Sequence, residues 1–297
     1  MLEYQKYQLG IYLATHLPLA ASYALANILS ELHYLSSKKD RDTIRGNLKA
    51  ILPDASPRQI ERYTHEVFRN FGRYIVEFFR FAKIDQEFID RHVKIEGREH
   101  VEEALKRGKG VIALSAHLGN WELGGVIVAR SGYSFIAVAL THCDKRINNF
   151  FNFQREFHGV KVLQVKTGIR DCFKALKQNQ IIALVGDRDF TNSGIISNFL
   201  GRQSDLPRGP AVFHLRTGAP IVPVFMIREG PTYNFRLVIE KPIEFTPCGD
   251  EEKDIKDLTD ICSKAIETYV RRYPEQWLMF RQFWYDPDTP KEEIKII

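Results

Sequence analysis

Six short apolar runs set between stretches of helical spacing constrain this chain more than any other feature. The runs are Val111 to Ser115, Phe135 to Leu140, Lys161 to Val165, Ile181 to Val185, Ile221 to Ile227 and Phe235 to Glu240. Helix candidates at Glu99 to Arg107, Trp121 to Arg130, Lys145 to Phe157, Ile169 to Asn179, Pro210 to Thr217 and Ile255 to Arg272 flank or separate them. Runs that are continuous rather than alternating describe strands covered on both faces. Their alternation with helices describes an α/β fold with a largely parallel mixed sheet flanked by helices. At 297 residues the chain can bury a large core, and it reads as an N-terminal helical segment over 1–50 followed by an α/β domain over 51–297.

Two features precede the alternation. From Gln8 to Ser30 there is no Asp, Glu, Lys or Arg, a length that suffices for a membrane span at 1.5 Å per residue. Gly10, His16, Pro18 and Asn27 interrupt it, so a helix lying in the interface or packed on the rest of the protein fits as well as a span. Ala24-Leu25-Ala26 resembles a leader cleavage site, but the weak preceding charge and the later unpaired cysteines argue against one. Lys38, Lys39, Arg41, Arg45 and Lys49 follow. A basic cluster beside an apolar helix suits an anionic, cytoplasm-facing membrane surface, and an ordinary solvated helix face is the plainer explanation. Further on, Ser56-Pro57-Arg58-Gln59 has the cap, the first-position proline and the glutamine that start a helix. Apolar residues at three- and four-residue steps carry that helix to Phe81 with a broad aromatic face.

The chemistry gathers at the end of the first apolar run. Val111 to Ser115 leads through Ala116 into His117, Gly119 and Asn120, and Asn120 can cap a helix with Glu122 in its first turn. A neutral imidazole fixed by a carboxylate can take a proton from a hydroxyl near neutral pH. The spacing predicts Glu122 as that carboxylate, with the substrate's hydroxyl as nucleophile, and it offers the amides of Gly119 and Asn120 as oxyanion donors. A second loop, Gly186-Asp187-Arg188-Asp189, follows Ile181 to Val185 and should open on the same cleft, since strand carboxyl ends gather on one edge. There Asp187 and Asp189 could orient an acceptor, with Arg188 meeting a phosphate or ordering the loop, and an internal salt bridge among the three is the plainer alternative. Thr191 to Pro210 reads as a long loop with Arg202 and Arg208, the latter beside a helix N-terminus that favours phosphate. A local echo links Val111-Ile112-Ala113-Leu114 to Ile181-Ile182-Ala183-Leu184, each preceded by a helix, and it reads as the shared grammar of a helix feeding a strand rather than as a true repeat.

Around these residues the wording is familiar. His117-Leu118-Gly119-Asn120-Trp121-Glu122 resembles the active-site block of the lysophospholipid acyltransferase superfamily, in its lipid A biosynthesis lauroyl/myristoyl acyltransferase family. Asn70 to Tyr74, Gly186 to Asp189, Pro207 to Ala211, Arg216 to Pro223 and Glu275 to Arg281 agree in the same order, so the similarity spans nearly the whole chain. The resemblance implies His117 and Glu122 as the catalytic pair and acceptor contacts at Arg208 and Arg202. It also implies polar roles near Asn149 and Arg155, an acyl carrier protein or acyl-CoA as donor, and a lipid A precursor as acceptor at the inner membrane. Relatives acting on phosphatidylinositol mannosides keep that acceptor class open. A His/Glu lipid hydrolase and a non-catalytic lipid-binding protein are the competing classes.

Composition excludes less. Net charge is +5 with a pI near 8.9, which suits an anionic lipid or an acidic carrier protein, and no nucleic-acid module accompanies it. Cys143, Cys172, Cys248 and Cys262 lack metal-site spacing, and the proposed chemistry requires no metal or cofactor.

Overall fold

The computed structural model describes residues 2–165, 167–191 and 193–284. Four helices come first: α1 (Leu2–His16), α2 (Leu19–Ser36), α3 (Lys38–Ile51) and α4 (Pro57–Phe79). They are followed by α5 (Gln86–His92), β1 (Val93–Glu96), α6 (Arg98–Lys106), β2 (Val111–Ser115), α7 (Trp121–Arg130), β3 (Phe135–Ala139) and α8 (Lys145–Glu156). Next are β4 (Lys161–Gln164), α9 (Ile169–Lys177), β5 (Ile181–Val185), β6 (Ile195–Phe199), β7 (Arg202–Leu206) and α10 (Gly209–Thr217). The last elements are β8 (Ile221–Arg228), β9 (Phe235–Ile239) and α11 (Glu251–Arg272).

A seven-stranded sheet in the order β1-β9-β8-β2-β5-β3-β4 forms the centre. From β8 to β4 the strands run parallel, while β9 is antiparallel to β8 and parallel to β1. The central strands feed both faces: on β2, Ile112 and Leu114 join one core and Val111 and Ala113 the other. On β8, Phe225 and Ile227 oppose Val222 and Met226 in the same way. The pleat therefore explains why these strands are apolar throughout.

The charge-free N-terminal stretch is not one helix. It breaks at Leu17-Pro18 into α1 and α2, and no helix among the described residues is long and apolar enough to cross a membrane. Tyr23, Ala26, Ser30 and Tyr34 turn inward, and α2 lies so close to α4 that a Cβ at Gly72 would come within 2.3 Å of the Ser30 hydroxyl oxygen. Leu9, Tyr12, Ile28, Leu29, Leu32 and Leu35 stay exposed on α1 and α2. Of the basic cluster, Arg41 donates to the Leu35 carbonyl at 2.7 Å and Arg45 pairs with Glu61 at 2.8 Å, so those two serve the fold, while Lys38, Lys39 and Lys49 are exposed. The segment read as a loop from Thr191 to Pro210 is largely an antiparallel ribbon, β6 paired with β7, packed on α11.

Candidate active site

β2 and β5 are neighbours, paired in register from Val111↔Ile181 to Ser115↔Val185. His117 lies two residues beyond Ser115 and Asp187 two beyond Val185, and the ladder extends one step further as Gly186 donates to the Ser115 carbonyl at 2.8 Å. The two loops thus meet directly. His117 Nδ1 is 2.7 Å from Asp187 Oδ1, and the His117 backbone N–H donates to Asp187 Oδ2 at 3.0 Å. Trp277 Nε1 donates to the same Oδ2 at 2.9 Å. Full burial alone would raise the Asp187 pKa, but the adjacent imidazole and these donors outweigh it and hold the carboxyl below its ordinary range.

An ionised Asp187 accepts only, so Nδ1 carries the ring proton and Nε2 is left as the basic nitrogen. Nε2 has no hydrogen-bond partner among the described residues, and the side chain keeps 15% of its surface exposed. Trp121 meets the imidazole edge-on at 4.9 Å and Phe190 at 6.1 Å, which leaves the ring few orientations.

This corrects the spacing argument. The carboxylate on the imidazole is Asp187, whereas Glu122 receives a bidentate pair from Arg155, Nε at 2.8 Å and Nη2 at 2.5 Å. Arg155 is accordingly buried rather than on an outer helix face, with its guanidinium over Phe78 and Phe151. Asp187, with both oxygens occupied inside the protein, is not placed to orient an acceptor. The oxyanion assignment also changes: Gly119 N–H donates to the Gln276 carbonyl and Asn120 N–H to the Met226 carbonyl, both at 2.9 Å. Gly119 has φ +61°, and a Cβ there would fall 2.0 Å from the Met226 oxygen, so glycine is required for the turn itself. Asn120 is fully buried; its Oδ1 caps α7 through Leu123 N–H at 3.0 Å and its Nδ2 donates to Glu77 at 2.6 Å.

The remaining candidates divide. Asp189 accepts from the backbone of Thr191, Ser193 and Gly194 and from the Thr191 hydroxyl, which shapes its own loop. Arg188 lies over Phe190, with 4.6 Å from guanidinium to ring centre. Arg208 stands at the start of α10 but pairs with Glu252 at 2.9 Å, and Arg202 lies over Trp284 at 5.5 Å. Asn149 is exposed on α8.

Past Trp121, which meets the imidazole, a cavity of about 70 Å³ opens between α7 and the sheet. Ser115, Trp121, Glu122 and Arg155 line it, and Ala113, Ala183 and Ala137 form part of its floor. Those three alanines are register partners on β2, β5 and β3, so a row of methyl groups replaces larger side chains where the space opens. A second, almost wholly apolar cavity of about 20 Å³ continues along the sheet and shares Ala113, Val128, Phe135, Val224 and Leu237 with the first.

A strand-end histidine bound through Nδ1 to a buried aspartate can accept a proton at Nε2, and a largely apolar cavity can hold a hydrocarbon group. Over residues 2–285 the chain matches the bacterial lipid A biosynthesis acyltransferases, and it belongs to that family of acyltransferases. It is 28% identical to a phosphatidylinositol mannoside acyltransferase of Mycolicibacterium smegmatis over 72% of this chain and 70% of that one. With the lipid A biosynthesis palmitoleoyltransferase of Escherichia coli it shares 23% identity over 81% of this chain and 77% of that one. The lauroyltransferase of the same organism is 20% identical over 94% and 90%.

Proposed function

We propose that the protein transfers a fatty acyl chain from an acyl thioester to a hydroxyl of a membrane glycolipid, with His117 as general base and Asp187 as the group that sets its tautomer. The observation that carries this reading is the 2.7 Å contact between Nδ1 and Asp187, which leaves Nε2 basic and without a hydrogen-bond partner among the described residues, with Trp121 standing between the ring and a largely apolar cavity. The acceptor O–H gives its proton to Nε2 as the oxygen bonds to the thioester carbonyl carbon. The tetrahedral intermediate collapses by breaking the C–S bond, and the departing thiolate takes the proton from the imidazolium. An ester and a free thiol result, with no acyl-enzyme.

The acyl chain occupies the cavity under α7, and its carbonyl sits at the end where Glu122 and Arg155 line the wall. With the Gly119 and Asn120 amides spent, the Arg155 guanidinium is the cation at that end, and Glu122 holds it in place. The donor is an acyl carrier protein or acyl-CoA. A lipid A precursor is the acceptor by family, and a phosphatidylinositol mannoside is the second reading, favoured by the mycobacterial relatives. The exposed apolar residues of α1 and α2, with Lys38, Lys39 and Lys49 close by in sequence, fit an interfacial seat on the cytoplasmic membrane.

The test is transfer from a radiolabelled acyl donor to a panel of glycolipids, resolved by thin-layer chromatography, with His117→Ala as control. A labelled ester on one acceptor class, lost by at least about a hundredfold in the variant, supports the reading. Labelled free fatty acid as the sole product, with every acceptor present, replaces it by hydrolysis.

A further inference from the structure

A buried polar cluster joins the N-terminal helices to the loop that carries the histidine. Glu77 on α4 is 6% exposed, Arg228 at the end of β8 is 3% exposed, and Tyr23 on α2 is 6% exposed. Arg228 Nη2 donates to Glu77 Oε2 at 2.8 Å and Nη1 donates to the Tyr23 hydroxyl oxygen at 2.9 Å, while that hydroxyl donates to Glu77 Oε1. Asn120 Nδ2 donates to Glu77 Oε2 at 2.6 Å. Beyond Asn120 come Trp121, edge-on to His117, and Glu122, which holds Arg155. Arg228 serves the loop a second time: its backbone exchanges two hydrogen bonds with the Gln276 side chain, and the Gln276 carbonyl takes the Gly119 N–H.

A buried ion pair is weak evidence for stability, because desolvation offsets much of the attraction; its retention is better explained by the single geometry it imposes. Here that geometry is the orientation of the Asn120 carboxamide, whose other end caps α7. We infer that Tyr23 is a positioning residue for the His117–Glu122 segment, acting through Glu77 and Asn120. The helix that exposes Ile28, Leu29, Leu32 and Leu35 therefore also helps to align the site. The inference deepens the acyl-transfer reading and rests on it for its kinetic consequence.

The experiment compares Tyr23→Phe, Asn120→Ala and the double variant with the full-length protein, measuring kcat and KM for acyl transfer and amide hydrogen exchange over residues 117–123. Tyr23→Phe removes one oxygen and leaves the Glu77–Arg228 pair, so folding is retained. The expected result is a fall in kcat of about tenfold with KM within about twofold, together with faster exchange in the 117–123 segment. The double variant should be no slower than Asn120→Ala alone, because the two residues act in series. A Tyr23→Phe enzyme with wild-type kcat, losses that multiply in the double variant, or unchanged exchange in 117–123 would overturn the relay. If the wild-type protein acylates nothing, the acyl-transfer reading falls, and the exchange measurement still decides whether Tyr23 orders the loop.

Discussion

Replacing Asp187 by asparagine changes one atom type at the centre of the site and has a consequence the geometry fixes in advance. Oδ2 accepts two N–H groups, from the His117 backbone at 3.0 Å and from Trp277 at 2.9 Å, while Oδ1 faces the imidazole Nδ1 at 2.7 Å as its one partner among the described residues. A carboxamide keeps its oxygen on the two-donor side and turns its NH2 toward Nδ1. Nδ1 must then accept, the ring proton moves to Nε2, and the nitrogen that should take the acceptor's proton already holds one. Where a serine hydrolase carries this substitution, the wrong tautomer costs on the order of 10⁴-fold in kcat, about 5.5 kcal/mol at 1.36 kcal/mol per tenfold. The same scale is expected here, with little change in KM. Stability moves in a defined direction too. The native Asp187 carboxyl titrates below its ordinary range, so the stability it contributes is fully present above about pH 4 and is lost as pH falls through the folded value. The variant should lack that acid-side loss in Tm. The assay is steady-state transfer, with ¹⁵N NMR of the imidazole to read the tautomer. A rate loss under tenfold, or an Nε2 still unprotonated in the variant, would refute the reasoning.

Glu122→Ala should destabilise as well as inactivate: it strands Arg155, whose side chain is only 9% exposed, at a cost of about 3–5 kcal/mol, and a Tm unchanged within about 3 °C in thermal melts would contradict it. Ala183→Leu extends a side chain into the cavity floor, so the preferred acyl chain should shorten. Excluding two methylenes costs about 1.6 kcal/mol, roughly tenfold in kcat/KM for the longest donor, and an unaltered chain-length profile counts against an acyl site there. Truncating the N-terminus is a poor test of membrane seating because it would uncover the core that Tyr23, Ala26 and Tyr34 fill. Ile28→Glu, Leu32→Glu and Leu35→Glu together, on exposed positions of α2, should weaken co-sedimentation with anionic vesicles by at least about a hundredfold while leaving the melting transition in place. Equal sedimentation of variant and wild type would remove the proposed seat.

Six of the seven strands of the main sheet were legible because their signal is local; the edge strand Val93–Glu96, only four residues long and with Lys94 and Glu96 in it, was not. A continuous apolar run has no other use in a buried parallel sheet, and the runs read from sequence fall within a residue or so of the observed strands. The β6–β7 ribbon was not legible for the complementary reason. Ile195–Phe199 and Arg202–Leu206 alternate buried and exposed residues over five positions each, around a turn at Leu200-Gly201. Their pairing gains meaning only when Phe199 and Ser204 reach Trp277 and the Phe283 carbonyl, contacts about eighty residues away in sequence. The break of the charge-free stretch at Pro18 was foreshadowed by the proline itself. Its packing on α4 depends on Gly72, which carries no sign of its partner.

The histidine and its carboxylate separate the two kinds of information most clearly. His117 stands out because an apolar strand ends on it, and spacing then nominated the nearest acid, Glu122. Spacing within a segment cannot express which strand lies alongside. Yet the partner was written in the chain: Val111-Ile112-Ala113-Leu114-Ser115-Ala116-His117 and Ile181-Ile182-Ala183-Leu184-Val185-Gly186-Asp187 match in polarity position by position through their apolar part. They pair in that same register. Two adjacent parallel strands of equal length that end in the same small-residue step must bring their next side chains together, so histidine and aspartate meet without either segment containing both. The same register sets Ala113 beside Ala183, and Ala183 beside Ala137, which opens the cavity floor under α7. The shared pattern therefore sets two things at once, the His117–Asp187 pair at its end and the alanine-lined space along its length, and a substitution that shifted the register by one residue would remove both.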